Sequence, residues 1–305
     1  MENGLLNKET LLSFCREFDY PDEAVAALSK AFDCIAADAD ARGIFARILS
    51  SYEEGRSDVP FRTIAEQTDR AGRYACVPVE TANLVLLILM SRHAQVLFKA
   101  AGMDETMFHE SFLDLRCKLF ECRKMRGVWG NFVFDWNARW YDASRVALGR
   151  LQFEIWPAPC VIQAAGRVIE RGYPLINVHI PSSGRLTPEA VRDSYQRAIA
   201  FFKPRLPGKE ILFRCSSWLL FRRHAELLGE NANITRFAAA YHLYDWGNYA
   251  SAASSDLWRI FYRDAGKAPA ELPRRTSLER AYAEMLLRGE LPGFGAGILP
   301  ADEIG

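Results

Sequence analysis

A chain of 305 residues has room for two domains of ordinary size, at about 100–200 residues each. Half of the residues are hydrophobic, and 38 basic residues balance 38 acidic ones, for a formal net charge of zero. That balance excludes the broad basic stripe with which a nucleic-acid binder displaces counterions from phosphates, but it leaves room for a local basic pocket.

Residues 1–8 are acidic and polar where a secretory leader has a basic patch and an apolar run. The longest apolar run, residues 84–90, ends at Ser91-Arg92-His93. It falls short of the roughly 20 residues that cross a bilayer and reads as a buried helix. Seven cysteines, an odd number and scattered, fit reduced thiols better than a disulfide framework. The expectation is a cytoplasmic protein that works with neither membrane nor nucleic acid.

Up to about residue 125 the chain reads as helices. Ala24, Leu28, Phe32 and Ile35 recur at helical spacing, as do Phe108, Phe112, Leu115 and Leu119. Further helical patterns cover 8–17, 40–53, 60–73 and 80–101, with breaks at Pro21, Gly43, Gly55, Pro60, Pro78 and Gly102. No nucleotide loop, metal motif or paired carboxylates stand out. Residues 1–125 are therefore read as an all-α N-terminal domain.

The character changes at Gly127-Val128-Trp129-Gly130, where residues 126–305 begin a second domain. Aromatic side chains crowd 129–141, as core or as the wall of a pocket. Residues 146–156 alternate, with Leu151, Phe153 and Ile155 on one side and Arg150, Gln152 and Glu154 on the other. Strand patterns follow over 161–170 and 175–180, then a helix with Thr187 as N-cap and Pro188 at its first position. Beyond it the patterns predict a strand over 211–215, a helix over 218–228, a long strand over 234–244 and a turn at 245–248. Two helices follow, the second opened by a Thr276-x-x-Glu279 capping box. The glycine-rich residues 294–304 are expected to wrap a surface or fray.

Strand 175–180 runs into Ser182-Ser183-Gly184-Arg185-Leu186 and a capped helix. Free N–H groups and the dipole at a helix start make an anion site, and Arg185 can pair with a phosphate. Against this, Pro188 removes one donor and Glu189 adds a negative charge; an ordinary strand–helix joint is the other reading. The order strand, small-residue loop, helix, strand, helix, strand matches the second half of a GNAT-like acyltransferase fold. The runs Leu148-Gly-Arg-Leu-Gln-Phe-Glu154, Val178-His-Ile-Pro181, Cys215-Ser-Ser-Trp-Leu-Leu220 and Asn233-Ile-Thr-Arg-Phe237 go further. They resemble a bacterial acyltransferase family that joins a helical N-terminal domain to a GNAT-like C-terminal domain. The resemblance implies an α+β, two-domain fold whose second domain carries a mixed sheet. It also implies an acyl-CoA co-substrate but does not fix the acceptor; a small-molecule acceptor and no metal are expected. The pyrophosphate falls on Ser182, Ser183, Gly184, Arg185 and Leu186, flanked by Val178 and Ile180. The usual Gln/Arg-x-x-Gly-x-Gly/Ala loop of GNAT enzymes is absent.

Acyl transfer to an amine needs a base, an oxyanion donor and a proton for the leaving thiolate. Strand parity makes Glu154 the leading base, although a half-exposed Arg150–Glu154 pair has the same pattern. His179, at the end of its strand, serves either as a second proton carrier or as a structural histidine. Ser217, just beyond the next strand, is expected to line the thioester channel with Ser216. Cys215 offers a covalent route, but it shares parity with Ile211 and Phe213 and so reads as core. The competing reading of the chain is a module that binds acyl-CoA or another metabolite without chemistry.

Overall fold

The computed structural model describes residues 5–55 and 60–304, so part of the segment read above as lacking a leader lies outside the described residues. The chain divides into two compact units, 1–146 and 147–305.

The first unit is helical: α1 Lys8–Glu17, α2 Asp22–Ala37, α3 Ala39–Glu53, α4 Phe61–Tyr74, α5 Val79–Ala100, α6 Glu105–Arg126 and a short α7 Ala138–Tyr141. Asn7, Asp38 and Asp104 cap α1, α3 and α6 through side-chain oxygens that accept early backbone N–H groups. Gly127 ends α6 in the left-handed region, at φ 77°. By length and composition α5 is apolar enough to cross a membrane, but every residue from Thr81 to Ser91 is buried in this unit. It is the core helix, packed against α1 to α4 and α6.

The aromatic segment after α6 belongs to this unit, so the division falls after Val146 and not after residue 125. Phe134, Trp140 and Tyr141 are buried, and the Tyr141 hydroxyl donates to the Leu87 carbonyl of α5 at 2.6 Å. Asn131 N–H donates to the Glu80 carbonyl at 2.7 Å. Gly130 permits that approach, since a Cβ there would sit 2.3 Å from the Glu80 carbonyl carbon. These rings are core, the first of the two roles open to them.

The second unit is built on a six-stranded sheet. In chain order its strands and helices are β1 Arg145–Leu148, β2 Leu151–Pro157, β3 Ile162–Ala164, β4 Arg167–Ile169, β5 Pro174–His179, α8 Pro188–Phe202, β6 Leu212–Ser217, α9 His224–Leu228, α10 Asn233–Ala239, β7 His242–Asn248, α11 Trp258–Phe261, α12 Ser277–Leu287 and β8 Gly293–Pro300. The main sheet has the order β1-β2-β5-β6-β8-β7, and β3 and β4 form a separate hairpin. Only β5 and β6 run parallel among the pairings of β2, β5, β6, β7 and β8, with α8 as their crossover. One face packs on α8, where Tyr195 meets Phe153 and Phe213 at 6.0 and 4.8 Å between ring centroids. On the other face, Leu175, Leu212 and Ile298 pack with Ile162 and Ile169 of the β3–β4 hairpin.

Several expectations are corrected. Residues 234–244 are not one strand: Asn233–Ala239 is helical and β7 begins at His242. The apolar run Ile234, Phe237, Tyr241 suits a helix face as well as a strand, and Phe237 and Tyr241 are buried. The predicted helix over 218–228 is a 3-10 turn, Trp218–Leu220, followed by α9. Residues 245–248 are not a turn but part of β7. The glycine-rich tail neither wraps nor frays; it is β8, between β6 and β7. Its glycines admit the chain there, since a Cβ on Gly293 would lie 2.4 Å from Phe221 and one on Gly295 would lie 2.5 Å from the Leu220 carbonyl.

Candidate active site

Alternation along β2 puts Gln152, Glu154 and Trp156 on one face of the sheet. Antiparallel register sets Gln152 opposite His179 and Glu154 opposite Asn177. In the parallel ladder Asn177 lies opposite Arg214 of β6. Directly opposed residues share a face, so three strands deliver Glu154, Asn177, His179 and Arg214 to one polar patch.

These side chains form a continuous network. Glu154 Oε1 is 2.7 Å from His179 Nε2 and 3.3 Å from Asn177 Nδ2. Asn177 Nδ2 is itself 3.1 Å from His179 Nε2. On its other side, Asn177 Oδ1 accepts from Arg214 Nη1 at 2.9 Å. The Arg214 guanidinium lies over the Trp156 ring, 4.3 Å from its centroid, and Nε donates to the Tyr244 hydroxyl at 3.3 Å. Glu154 and His179 keep 12% and 18% of their side-chain surface exposed, enough for a substrate to touch and too little for bulk water to screen them fully.

The patch sits where two strands part. The β5–β6 ladder joins only Ile176 to Phe213 and Asn177 to Arg214. β5 runs on to His179 and β6 to Ser217 without pairing with each other.

Of the loop residues, Ser182, Ser183, Gly184 and Arg185 are exposed, and Gly184 has φ 135°. The Arg150 guanidinium donates to the carbonyls of Gly184 and Arg185 at 3.0 and 3.3 Å, fixing the loop. At the start of α8, Thr187 Oγ1 accepts from Ala190 N–H at 3.3 Å and Pro188 has no N–H, so the helix end has few backbone donors to offer. Val178 is buried, Ile180 is half-buried, and Leu186 lines a cleft between α8 and α10. Pro188, Val191 and Phe237 supply apolar walls, and Arg192 and Arg236 supply positive charge. Charge for a phosphate thus comes from side chains more than from the helix dipole.

Ser217 and Cys215 have other places. The Ser217 hydroxyl accepts from Leu219 N–H at 3.1 Å and caps the turn after β6. By alternation Ser217 faces away from Arg214, and the exposed Ser216 shares the polar face. Cys215 is wholly buried, and burial pushes its thiol up to about 12, against a smaller lowering by Arg214. A thiol so placed is a poor nucleophile. Among the described residues no three His, Cys, Asp or Glu side chains cluster as metal ligands do.

Sequence reasoning missed Asn177, Arg214 and Tyr244. Asn177, a polar residue between the apolar Ile176 and Val178, was one available signal. Arg214, between Phe213 and Cys215, was another.

Fold and site together define a two-domain acyltransferase of the GNAT-like class. Residues 146–299 match the GNAT-like C-terminal domain family and residues 9–143 match the N-acyltransferase N-terminal domain family. The chain belongs to the acyltransferases that join these two domains. Among solved structures it is similar to an acyltransferase in complex with decanoyl-CoA and teicoplanin, at 23% identity and a TM-score of 0.74, over 95% of this chain and 87% of that one. A Trp-to-Ala variant of an acyltransferase with octanoyl-CoA matches at 22% identity and a TM-score of 0.72, over 94% and 86%. An acyltransferase with CoA and 10C-teicoplanin matches at 22% identity and a TM-score of 0.65, over 92% and 88%. At these identities the likeness establishes the fold. No curated protein sequence matches the chain.

Proposed function

We propose that this acyltransferase moves an acyl group from an acyl-CoA to an amine of a small acceptor by direct attack. The observation that carries this reading is the Glu154–His179 pair, 2.7 Å apart, beside the opening between β5 and β6. With Glu154 ionised, His179 takes a proton from the incoming amine. The nitrogen attacks the thioester carbonyl, the C–N bond forms, and the C–S bond breaks as the CoA thiolate leaves and takes a proton.

Arg185, Arg192 and Arg236 are the candidate partners of the CoA phosphates, and Leu186, Val191 and Phe237 flank the rest of the cleft. Burial of Cys215 favours direct attack over an acyl-enzyme. The similar acyltransferases hold octanoyl-CoA or decanoyl-CoA, and two include teicoplanin or its 10C form, which makes medium-chain acyl-CoAs the first donors to try. Seven free cysteines are consistent with our placing the protein in the cytoplasm.

Calorimetric titration with CoA, acetyl-CoA, octanoyl-CoA and decanoyl-CoA, followed by CoA release in the presence of a panel of amines, tests the reading. Saturable binding and amine-dependent release are expected. Glu154→Gln should keep the affinity and lose about 10²–10⁴-fold in turnover. Binding with no release by any amine would instead favour a non-catalytic sensor, and a folded sample that binds no thioester would end the acyl-CoA assignment.

A further inference from the structure

The network around the acid–base pair has a direction. Arg214 can only donate, so the Asn177 oxygen must face it, at 2.9 Å from Nη1. The Asn177 amide nitrogen, which can only donate, therefore faces Glu154 and His179. Beside an ionised Glu154, a lone pair on His179 Nε2 would repel Oε1 across 2.7 Å. An N–H on Nε2 resolves the conflict: it and the Asn177 amide converge as two donors on one carboxylate oxygen. The basic lone pair of the ring is then on Nδ1.

We propose that Asn177 and Arg214 are positioning residues for the Glu154–His179 pair: Arg214 sets the orientation of the Asn177 amide, and that amide aims the carboxylate so that it takes the Nε2 proton and leaves Nδ1 as the basic nitrogen. Trp156 and Tyr244 complete the device by holding the guanidinium, one under its plane and one at Nε. The arrangement is built into β-sheet register, since Glu154, Asn177 and Arg214 are consecutive cross-strand neighbours. Rigid strands hold such groups more tightly than loops do.

The inference rests on reading Glu154 and His179 as the base, and its test is a separate measurement that needs no acceptor. The full chain, labelled with ¹⁵N-histidine, is titrated by NMR, with His179→Gln used to assign the His179 signals. The titratable groups of the network that holds the ring are Glu154 from β2, Arg214 from β6 and Tyr244 from β7. Above its midpoint, the wild-type ring should be the Nε2–H tautomer. Asn177→Leu adds no charge but removes one of two donors to Glu154. The carboxylate then acts undivided on the imidazole, and the His179 midpoint should rise by about 0.5–1 pH unit. Arg214→Met should move it the same way, and Arg214→Lys, which keeps the charge and a donor, should return it toward wild type. An Nδ1–H tautomer in the wild type overturns the proposal. So does a midpoint that stays put or falls in both Asn177→Leu and Arg214→Met. Full turnover in Glu154→Gln would instead remove the base assignment, whatever the NMR result.

Discussion

His224 offers a quantitative test of the second unit's core. It is 1% exposed, and its ring sits among Trp218, Phe221 and Tyr282, with centroids 5.8–6.0 Å away. Nδ1 is 3.1 Å from the Leu219 carbonyl, which can only accept, so Nδ1 carries the proton. Nε2, 2.7 Å from the Tyr282 hydroxyl, accepts from it. Protonating Nε2 would bury a charge and set two donors face to face. Desolvation accordingly lowers the His224 titration from its ordinary 6.5 to about 4, and the Leu219 bond opposes this only in part. The unfolded chain takes up a proton below 6.5 while the folded protein does not until about 4. Stability is therefore full above about pH 6.5, falls between there and about 4, and is lost no further below that. At about 1.4 kcal/mol per pH unit the loss is about 3 kcal/mol, against a typical total of about 5–15 kcal/mol. Urea unfolding of the wild type and of His224→Gln at pH 7.5 and 4.5 reads it out. The variant should start lower at pH 7.5, because the flexible amide does not fill the place of the ring packed among Trp218, Phe221 and Tyr282. It should also lose about 2.5 kcal/mol less than the wild type between these two pH values, since pH 4.5 stops short of the full window. Equal losses in the two proteins would refute the argument that this imidazole is buried neutral.

Three further outcomes follow from the same structure. Cys215→Ala should keep turnover within a few-fold of wild type in the CoA-release assay, whereas its abolition would point to an acyl-enzyme and against direct attack. Arg236→Glu or Arg192→Glu should weaken calorimetric binding of acyl-CoA at least about tenfold by setting a negative charge beside the phosphates, without altering the fold by circular dichroism. Gly295→Ala should destabilise the second unit by about 1–3 kcal/mol in thermal unfolding, since its Cβ would lie 2.5 Å from a backbone carbonyl oxygen that has nowhere to move.

Helices were the most legible part of the sequence because period 3.6 repeats over many residues: α1 to α6 fall within a few residues of the predicted spans. Parity within one strand was legible too, and it placed Glu154 on the polar face. Partnership between strands was not. Nothing local says that Gln152 rather than Glu154 lies opposite His179, or that Asn177 lies opposite Arg214, because register is set by turns and by packing across the sheet. β8 was missed for a related reason. Gly293, Gly295 and Gly297 lower local strand propensity, yet they fit close neighbours that only the folded sheet supplies. The boundary at 125 moved to 146 because aromatic density marks a core without saying whose core it is.

On the function proposed above, the two faces of the central sheet would divide the work that acyl transfer requires. Tyr195 and Leu299 belong to the α8 face, and the cleft they help to line carries Arg192 and Arg236. Glu154, His179 and Arg214 lie on the opposite face. A donor with its phosphates in the cleft reaches the acid–base pair only by passing its thioester arm through the sheet. The place for that passage is where β5 and β6 stop pairing, between His179 and Ser216. Parity then constrains chemistry: Cys215 lies on the α8 face and is wholly buried, and on this reading a side chain on the far face meets the arm at the point of reaction. Alternation places Ser216 and not Ser217 beside that point, so a hydroxyl that donates to the thioester oxygen or to the departing sulfur is expected at Ser216. Ser216→Ala should lower turnover with acyl-CoA affinity unchanged, while Ser217→Ala should act mainly on stability through the lost cap at Leu219.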